Sequence, residues 1–416
     1  MYRSHVARVE AIVREQEEWR SKCINLIASE QSMSRRARAV MGSDFCHRYA
    51  EGHPGERYYQ GTEKIDTIES DAKRYLKALF GCLHTEVRPI SGTNANEAVF
   101  SSYINPGDIV LANSTPAGGH ISHQRAGAVG HYTQNVIPLP TTPDGYHLDA
   151  PKARDLIWLL RPKVVILGKS LFLFPEPVRE LYEVCGKVKA RIVYDGAHVL
   201  GLIAGKQFQN PLAEGAHVVT GSTHKTFPGP QRGLILSNLD WQEWRIIDKG
   251  AFPGSSSNHH LDTLPPLLIT VFEMLAFGEE YARQVVANAK ALAAALDKRG
   301  FDVQAREFGY TESHQVAVDV SRYGGGSAVS SLLKENNIIL NMNMLPHEPL
   351  SHHDNPAGVR IGVAEMTRFG MKEPEMERIA DLMRECVIEG KQVLHEVIRF
   401  RSGFQKVCYS FDEENG

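Results

Sequence analysis

The stretch HVVTGSTHKTFPGPQRG, His217 to Gly233, runs from a short β-branched apolar segment through hydroxyls, a histidine and Lys225 into a turn broken by glycine and proline. An apolar run of this length, bounded by turn residues, reads as a strand buried on both faces. A surface lysine needs no escort of hydroxyls, whereas a buried one is costly unless it is paired or neutral. Lys225 is therefore either a solvated loop residue or a nucleophile, and the rest of the chain has to decide. Working outward, similar runs recur as DIVLAN (Asp108 to Asn113), KVVILG (Lys163 to Gly168), RIVYDG (Arg191 to Gly196) and RGLILS (Arg232 to Ser237), separated by helix-length segments. The alternation predicts an α/β fold with a mostly parallel sheet between helices, whose ligands bind beyond the carboxyl ends of the strands. Three of the runs lead into Ser170, Asp195 and Lys225, so these side chains are expected to converge on one crevice.

The chain has 416 residues, 42% of them hydrophobic, enough for two domains. Beyond Pro265 and Pro266 the pattern changes to long helical periodicity, followed by HQVAVDV (His314 to Val320), which alternates as a strand does, and by EMERIADLMRECVIEGKQVLHEVIRF, read as one amphipathic helix. The expected division is an N-terminal helical arm over 1–25, a large domain over 26–270 and a small α+β domain over 271–416. A formal net charge of −3, from 46 basic and 49 acidic residues, advertises no nucleic-acid or anionic-membrane surface. The charged N-terminal helix lacks an apolar signal region, and no run of about 18 apolar residues stands out, so a soluble cytoplasmic chain is expected. Six cysteines without paired spacing read as reduced, and the His-His pairs at 259–260 and 352–353 as loop residues rather than metal ligands.

A lysine that condenses with an aldehyde cofactor, and an acid that keeps the cofactor's pyridine nitrogen protonated, are the minimum for pyridoxal phosphate chemistry. Lys225 and Asp195 fit that pair on two neighbouring strand ends, although either alone reads equally well as a loop residue. SGTNAN (Ser91 to Asn96) opens a helix whose free N–H groups suit a phosphate, and is also an ordinary N-cap. GGHISH (Gly118 to His123) offers His120 as a glycine-backed ring for stacking.

NLIASE, HRYAEGHPGERYYQG, SGTNAN, GGHISH, YDGAHVLGLIAG, GSTHKTFPGPQRG and GVRIGVAEMTRFGM, in this order, resemble the signature segments of serine hydroxymethyltransferases of the archaeal-like kind. The resemblance implies pyridoxal phosphate fold type I, with a seven-stranded mostly parallel sheet and a smaller C-terminal domain, in a homodimer with shared active sites. It implies that Lys225 forms the Schiff base, Asp195 the pyridine salt bridge and His120 the ring stack. Ser91, Gly92, Thr93, Ser222 and Thr223 would face the cofactor and its phosphate, His198 and Ser170 its phenolic oxygen, and His224 would orient the adduct. Arg360 would clamp the amino-acid carboxylate. Ser29, Tyr49, Glu51 and Tyr59 would line the substrate pocket, the tyrosines and Glu51 being lent by the neighbouring subunit. Glu51, shielded from water, would shuttle protons. Gly118, Gly119 and Asn343 match contacts to tetrahydrofolate or a related pterin co-substrate.

The chain also departs from the family pattern. Gln231 stands where an arginine is usual and Arg232 follows it. The loop lent to the neighbour's phosphate reads FPGSSSNHH, with Ser257 and Asn258 as its donors, and Met342 replaces a lysine between two asparagines. These changes give some resemblance to threonine transaldolases, which use an aldehyde acceptor in place of the pterin, and leave a pterin-independent aldolase or transaldolase as the alternative activity.

Overall fold

The computed structural model describes residues 2–412. Its central sheet has seven strands: β1 (His84–Glu86), β2 (Val110–Ala112), β3 (Val136–Pro138), β4 (Val164–Leu167), β5 (Arg191–Asp195), β6 (Val218–Ser222) and β7 (Gly233–Ser237). Their order is β1-β7-β6-β5-β4-β2-β3, and only β7 runs antiparallel to its neighbours. All five apolar runs of the sequence are strands of this sheet. The two not foreseen, β1 and β3, are three-residue edge strands too short for a periodic signal. Strands β4 and β6 are buried along their whole length, as expected for a sheet covered on both faces. Each apolar side chain so buried contributes roughly 1.5–3 kcal/mol.

Among the helices, α1 (Tyr2–Ser21) has no buried residue, while α2 (Glu63–Phe80) turns Ile65, Ala72 and Leu76 inward. Helix α3 (Gly92–Tyr103) is capped by Ser91, whose hydroxyl accepts from Asn94 N at 3.0 Å. Helix α4 (Leu264–Lys298) is 35 residues long and runs without a break through residue 270. With the preceding turn it is long and apolar enough to cross a membrane, but 61% of its most apolar stretch is buried inside the protein, as in a core helix. A second sheet, β8 (Asp302–Val303), β9 (Gln315–Asp319), β10 (Asn341–Asn343) and β11 (Gly358–Gly362), has the antiparallel order β8-β9-β11-β10. The C-terminal segment read as one helix is two, α5 (Glu373–Val387) and α6 (Leu394–Ser402). Gly390 separates them with φ +67°, a left-handed conformation that an α-helix cannot contain.

Candidate active site

The carboxyl ends of β4, β5 and β6 open into a cavity of about 190 Å³, lined by Ser91, Gly92, Thr93, His120, Ser170, Asp195, His198, Ser222, His224 and Lys225 among others. The hydroxyls that flank the lysine hold its loop. Thr223 Oγ1 donates to Pro230 O at 2.6 Å, and Thr226 Oγ1 donates to His198 O at 2.8 Å while accepting from Gly201 N. Thr223 is thus a pin of the loop and does not face the cavity as the sequence had led us to expect, because both its hydrogen bonds point to the Pro230–Arg232 backbone. Lys225 itself has no hydrogen-bond or ion-pair partner among the described residues, and burial, reinforced by Arg360 and opposed by Asp195, lowers its pKa from 10.5 to about 8.

Lowering a lysine pKa on folding penalises the protonated form. The cost is fully present below pH 8, shrinks between 8 and 10.5 and is gone above the unfolded value. Lys225→Met is therefore expected to raise the melting temperature of the cofactor-free protein at pH 7 and to lose that gain by about pH 10.5. Thermal scans of both proteins across this range check it.

Asp195, at the end of β5, is held by three donors: His123 Nε2 at 2.8 Å, Asn96 Nδ2 at 2.8 Å and Ala197 N at 3.0 Å. Burial pushes its pKa upward, but the bonds from His123 and Asn96 and the nearby imidazoles outweigh it and keep the carboxyl well below the usual range. Asn96 is fully used, donating also to Ser122 Oγ and accepting from Thr220 Oγ1 at 2.6 Å. Neither Asn96 nor His123 was assigned to the site from sequence. The only available signal was that Asn96 lies one helical turn after Gly92, on the same face.

His120 accepts from Ser122 N at 3.1 Å, and burial lowers its pKa to about 4, so it is a neutral ring at physiological pH. Burial and then Lys225 do the same to His224, whose buried Nδ1 has no hydrogen-bond partner among the described residues. Gln315, also not foreseen, ties His198 Nδ1 and Ser170 O together, each at 3.0 Å. Arg360 Nη1 donates to the same Ser170 carbonyl at 2.8 Å and its Nε to Asn341 Oδ1 at 3.2 Å, and burial lowers its pKa to about 10. Lys169, a second lysine of the cavity, is committed to Glu176 at 3.1 Å and Tyr146 O at 2.6 Å.

Two further cavities adjoin the first. One, reached past His120 and Ser170, is lined by Gly118, Gly119, Met342, Asn343, Met344 and Arg360. Gly118 has φ +89°, and a Cβ there would stand 2.5 Å from Leu171 O, so the close approach that shapes this wall requires glycine. The other, reached past His224, contains Ser29. Tyr49, Glu51, Tyr59 and Ser257 line none of these cavities in their own chain. The first three form a cluster, with the tyrosine rings 4.9 Å apart and Tyr59 OH 3.4 Å from Glu51, and Glu51 is half-buried within its own chain. Asn258, expected to donate to a phosphate, instead spends its amide on Arg48 O and Ala50 N.

The cavity fits the cofactor implied by its lysine and aspartate. It combines an unpaired amine, a carboxylate held ionised, a neutral imidazole and the open N-terminus of α3, and its base is tight enough that a Cβ on Gly92 would meet Ser222 Oγ at 2.3 Å. Fold and site together define a pyridoxal phosphate enzyme of fold type I. The crystal structure of L-threonine transaldolase from Pseudomonas fluorescens superimposes with a TM-score of 0.91 at 27% identity, covering 100% of this chain and 96% of that one.

Within that class, the family model described as serine hydroxymethyltransferase matches residues 3–383, and the chain belongs to this family of transferases. Proteins named serine hydroxymethyltransferase from Sulfolobus acidocaldarius and Thermococcus gammatolerans are 50% and 49% identical to it. The first alignment covers 96% of this chain and 93% of the relative, the second 99% and 98%.

Proposed function

We propose that this protein interconverts serine and glycine in one-carbon metabolism, passing the hydroxymethyl carbon to and from tetrahydrofolate or a related pterin, as a cytoplasmic homodimer. The observation that carries the reading is the place of Arg360, a buried guanidinium in the wall of the Gly118–Asn343 cavity, one carbonyl away from the cavity of Lys225 and Asp195. A planar two-pronged donor there suits an amino-acid carboxylate, and the space beside it suits a flat carrier.

Pyridoxal phosphate, when bound, supplies the electron sink that weakens a bond at the substrate's α-carbon. Asp195 would keep a proton on the pyridine nitrogen, and His120 would hold the ring. Ser91, Gly92, Thr93 and Ser222 hold the phosphate, and His198 and Ser170 serve the phenolic oxygen side. Lys225 would hold the cofactor covalently through Nζ and would assist product release. Arg360 would fix the carboxylate and so would orient the bonds at the substrate's α-carbon. His224, neutral and without a partner at Nδ1, orients the bound amino acid beside Ser29. Tyr49, Glu51, Tyr59 and Ser257 reach the site of the neighbouring subunit, where Glu51 moves the proton of the hydroxymethyl oxygen.

A second reading, carrier-free aldol or transaldol chemistry, draws on Met342 and Met344, which bring no charge to the wall of the adjoining cavity beside Arg360. One product analysis separates the two. With serine as substrate, adding tetrahydrofolate is expected to raise glycine formation strongly. Glycine formation indifferent to the pterin, together with acetaldehyde release from threonine and capture of an aromatic aldehyde, rejects the first reading for the second.

A further inference from the structure

We propose that Asn258 and Arg232 are positioning residues: with Arg57 they form a polar clamp that holds Tyr49 and Glu51 in the posture in which they are lent to the neighbouring subunit. The inference rests on the shared-site reading above and names the device that serves it. Tyr49 lies between two backbone groups gripped by a single amide, since Asn258 Nδ2 donates to Arg48 O at 3.0 Å and its Oδ1 accepts from Ala50 N at 3.1 Å. Glu51 lies between Ala50 O and Gly52 O, which both accept from Arg57 Nη1, at 2.7 and 2.8 Å. Each of the two side chains therefore projects from backbone fixed on either side of it.

The two grips are joined beneath the surface. The Arg57 side chain is 2% exposed and its remaining nitrogens hold Asp66 at 2.8 Å and Glu69 at 2.6 Å. Glu69, fully buried, pairs also with Lys73 at 2.9 Å and faces His259 Nε2 at 3.5 Å. On its other side His259 Nδ1 meets the guanidinium of Arg232, which is itself fully buried and donates to Val87 O, His260 O and Thr263 Oγ1. Charge-assisted bonds between buried groups are costly to leave unmade. The segment bearing Tyr49 and Glu51 consequently cannot shift against the 258–263 loop without breaking both bonds of Asn258 and drawing Glu69 away from His259.

Neither Asn258, Arg57 nor Arg232 lines the cavity of its own chain. The backbone carbonyl of Arg232 does accept from Thr223 N at 2.9 Å, two residues before Lys225, so Arg232 borders both its own lysine loop and the segment lent to the neighbour's site. Hybrid dimers distinguish these. One chain carries Lys225→Ala and the other Glu51→Gln. If sites are shared, one site of each hybrid regains both groups and activity returns.

Asn258→Ala is then added to one chain at a time, and kcat is read at saturating pyridoxal phosphate so that altered cofactor affinity does not enter. On the Lys225→Ala chain, which lends Glu51, it is expected to lower kcat of the restored site by about 10- to 100-fold, the scale of an ångström-level misplacement. On the Glu51→Gln chain it is expected to leave kcat within about twofold, well below that scale. Arg232→Met is expected to show the same asymmetry, and Asn258→Asp, which keeps the acceptor, to recover part of the loss. Equal losses on either chain, or a loss confined to the Glu51→Gln chain, overturn the clamp while leaving the shared site intact. Hybrids that regain no activity overturn the shared site and the clamp with it.

Discussion

Lys225→Ala is expected to end multiple turnover while leaving a folded protein that still binds pyridoxal phosphate without a covalent bond. The cavity offers no substitute amine, because Lys169 is held by Glu176 and by the carbonyl of Tyr146. The hydroxyls that shape the loop bond to backbone and to one another's neighbours rather than to the lysine, so its removal does not unfold the loop. The fall in kcat is expected to approach about 10⁴-fold, the upper range for a positioned group that acts on the reacting atoms. Mass spectrometry after borohydride reduction is expected to find the cofactor on Lys225 of the wild-type chain and on no residue of the variant. Normal multiple turnover by the variant would remove Lys225 from the chemistry.

Arg360→Lys is expected to be nearly as damaging as Arg360→Ala, because the proposed grip on a carboxylate needs a fork and not merely a charge. In the free protein the guanidinium donates through Nη1 to Ser170 O and through Nε to Asn341 Oδ1, which fixes its plane. A lysine reaches one partner at a time and presents no planar pair to a carboxylate. Losing a buried, hydrogen-bonded charge from a carboxylate contact costs about 2–5 kcal/mol, or roughly 30- to 5,000-fold in kcat/KM for serine, most of it in KM. Cofactor binding is expected to survive, since Asp195 and the start of α3 do not depend on Arg360. Unchanged saturation by serine and glycine in either variant would place the carboxylate elsewhere.

Much of this architecture was legible because it is local. Five short apolar runs named five strands, and each of the residues Ser170, Asp195 and Lys225 lies at or just beyond the end of one. The edge strands β1 and β3 escaped because three residues carry no period, and the break at Gly390 escaped because helical spacing of apolar residues continues across it. Asn96 and His123 escaped for a different reason. They meet Asp195 from 99 and 72 residues away, and a buried amide or imidazole has no local pattern that distinguishes a partner from a core residue.

The amino-acid sequence alone put a lysine and an aspartate at adjacent strand ends and the start of a helix beside them, and the family resemblance added Arg360 to that set. Tertiary structure alone decided how that set is used. It turned Thr223 from the cavity into the loop, drew the amide of Asn258 away from any ligand, and set His123 and Asn96 on Asp195 so that burial does not neutralise it. It also left Tyr49, Glu51 and Tyr59 outside their own chain's cavity. The physical reason is that residue type fixes which bonds a side chain is able to make, whereas burial and the approach of distant segments fix which of those bonds must be made.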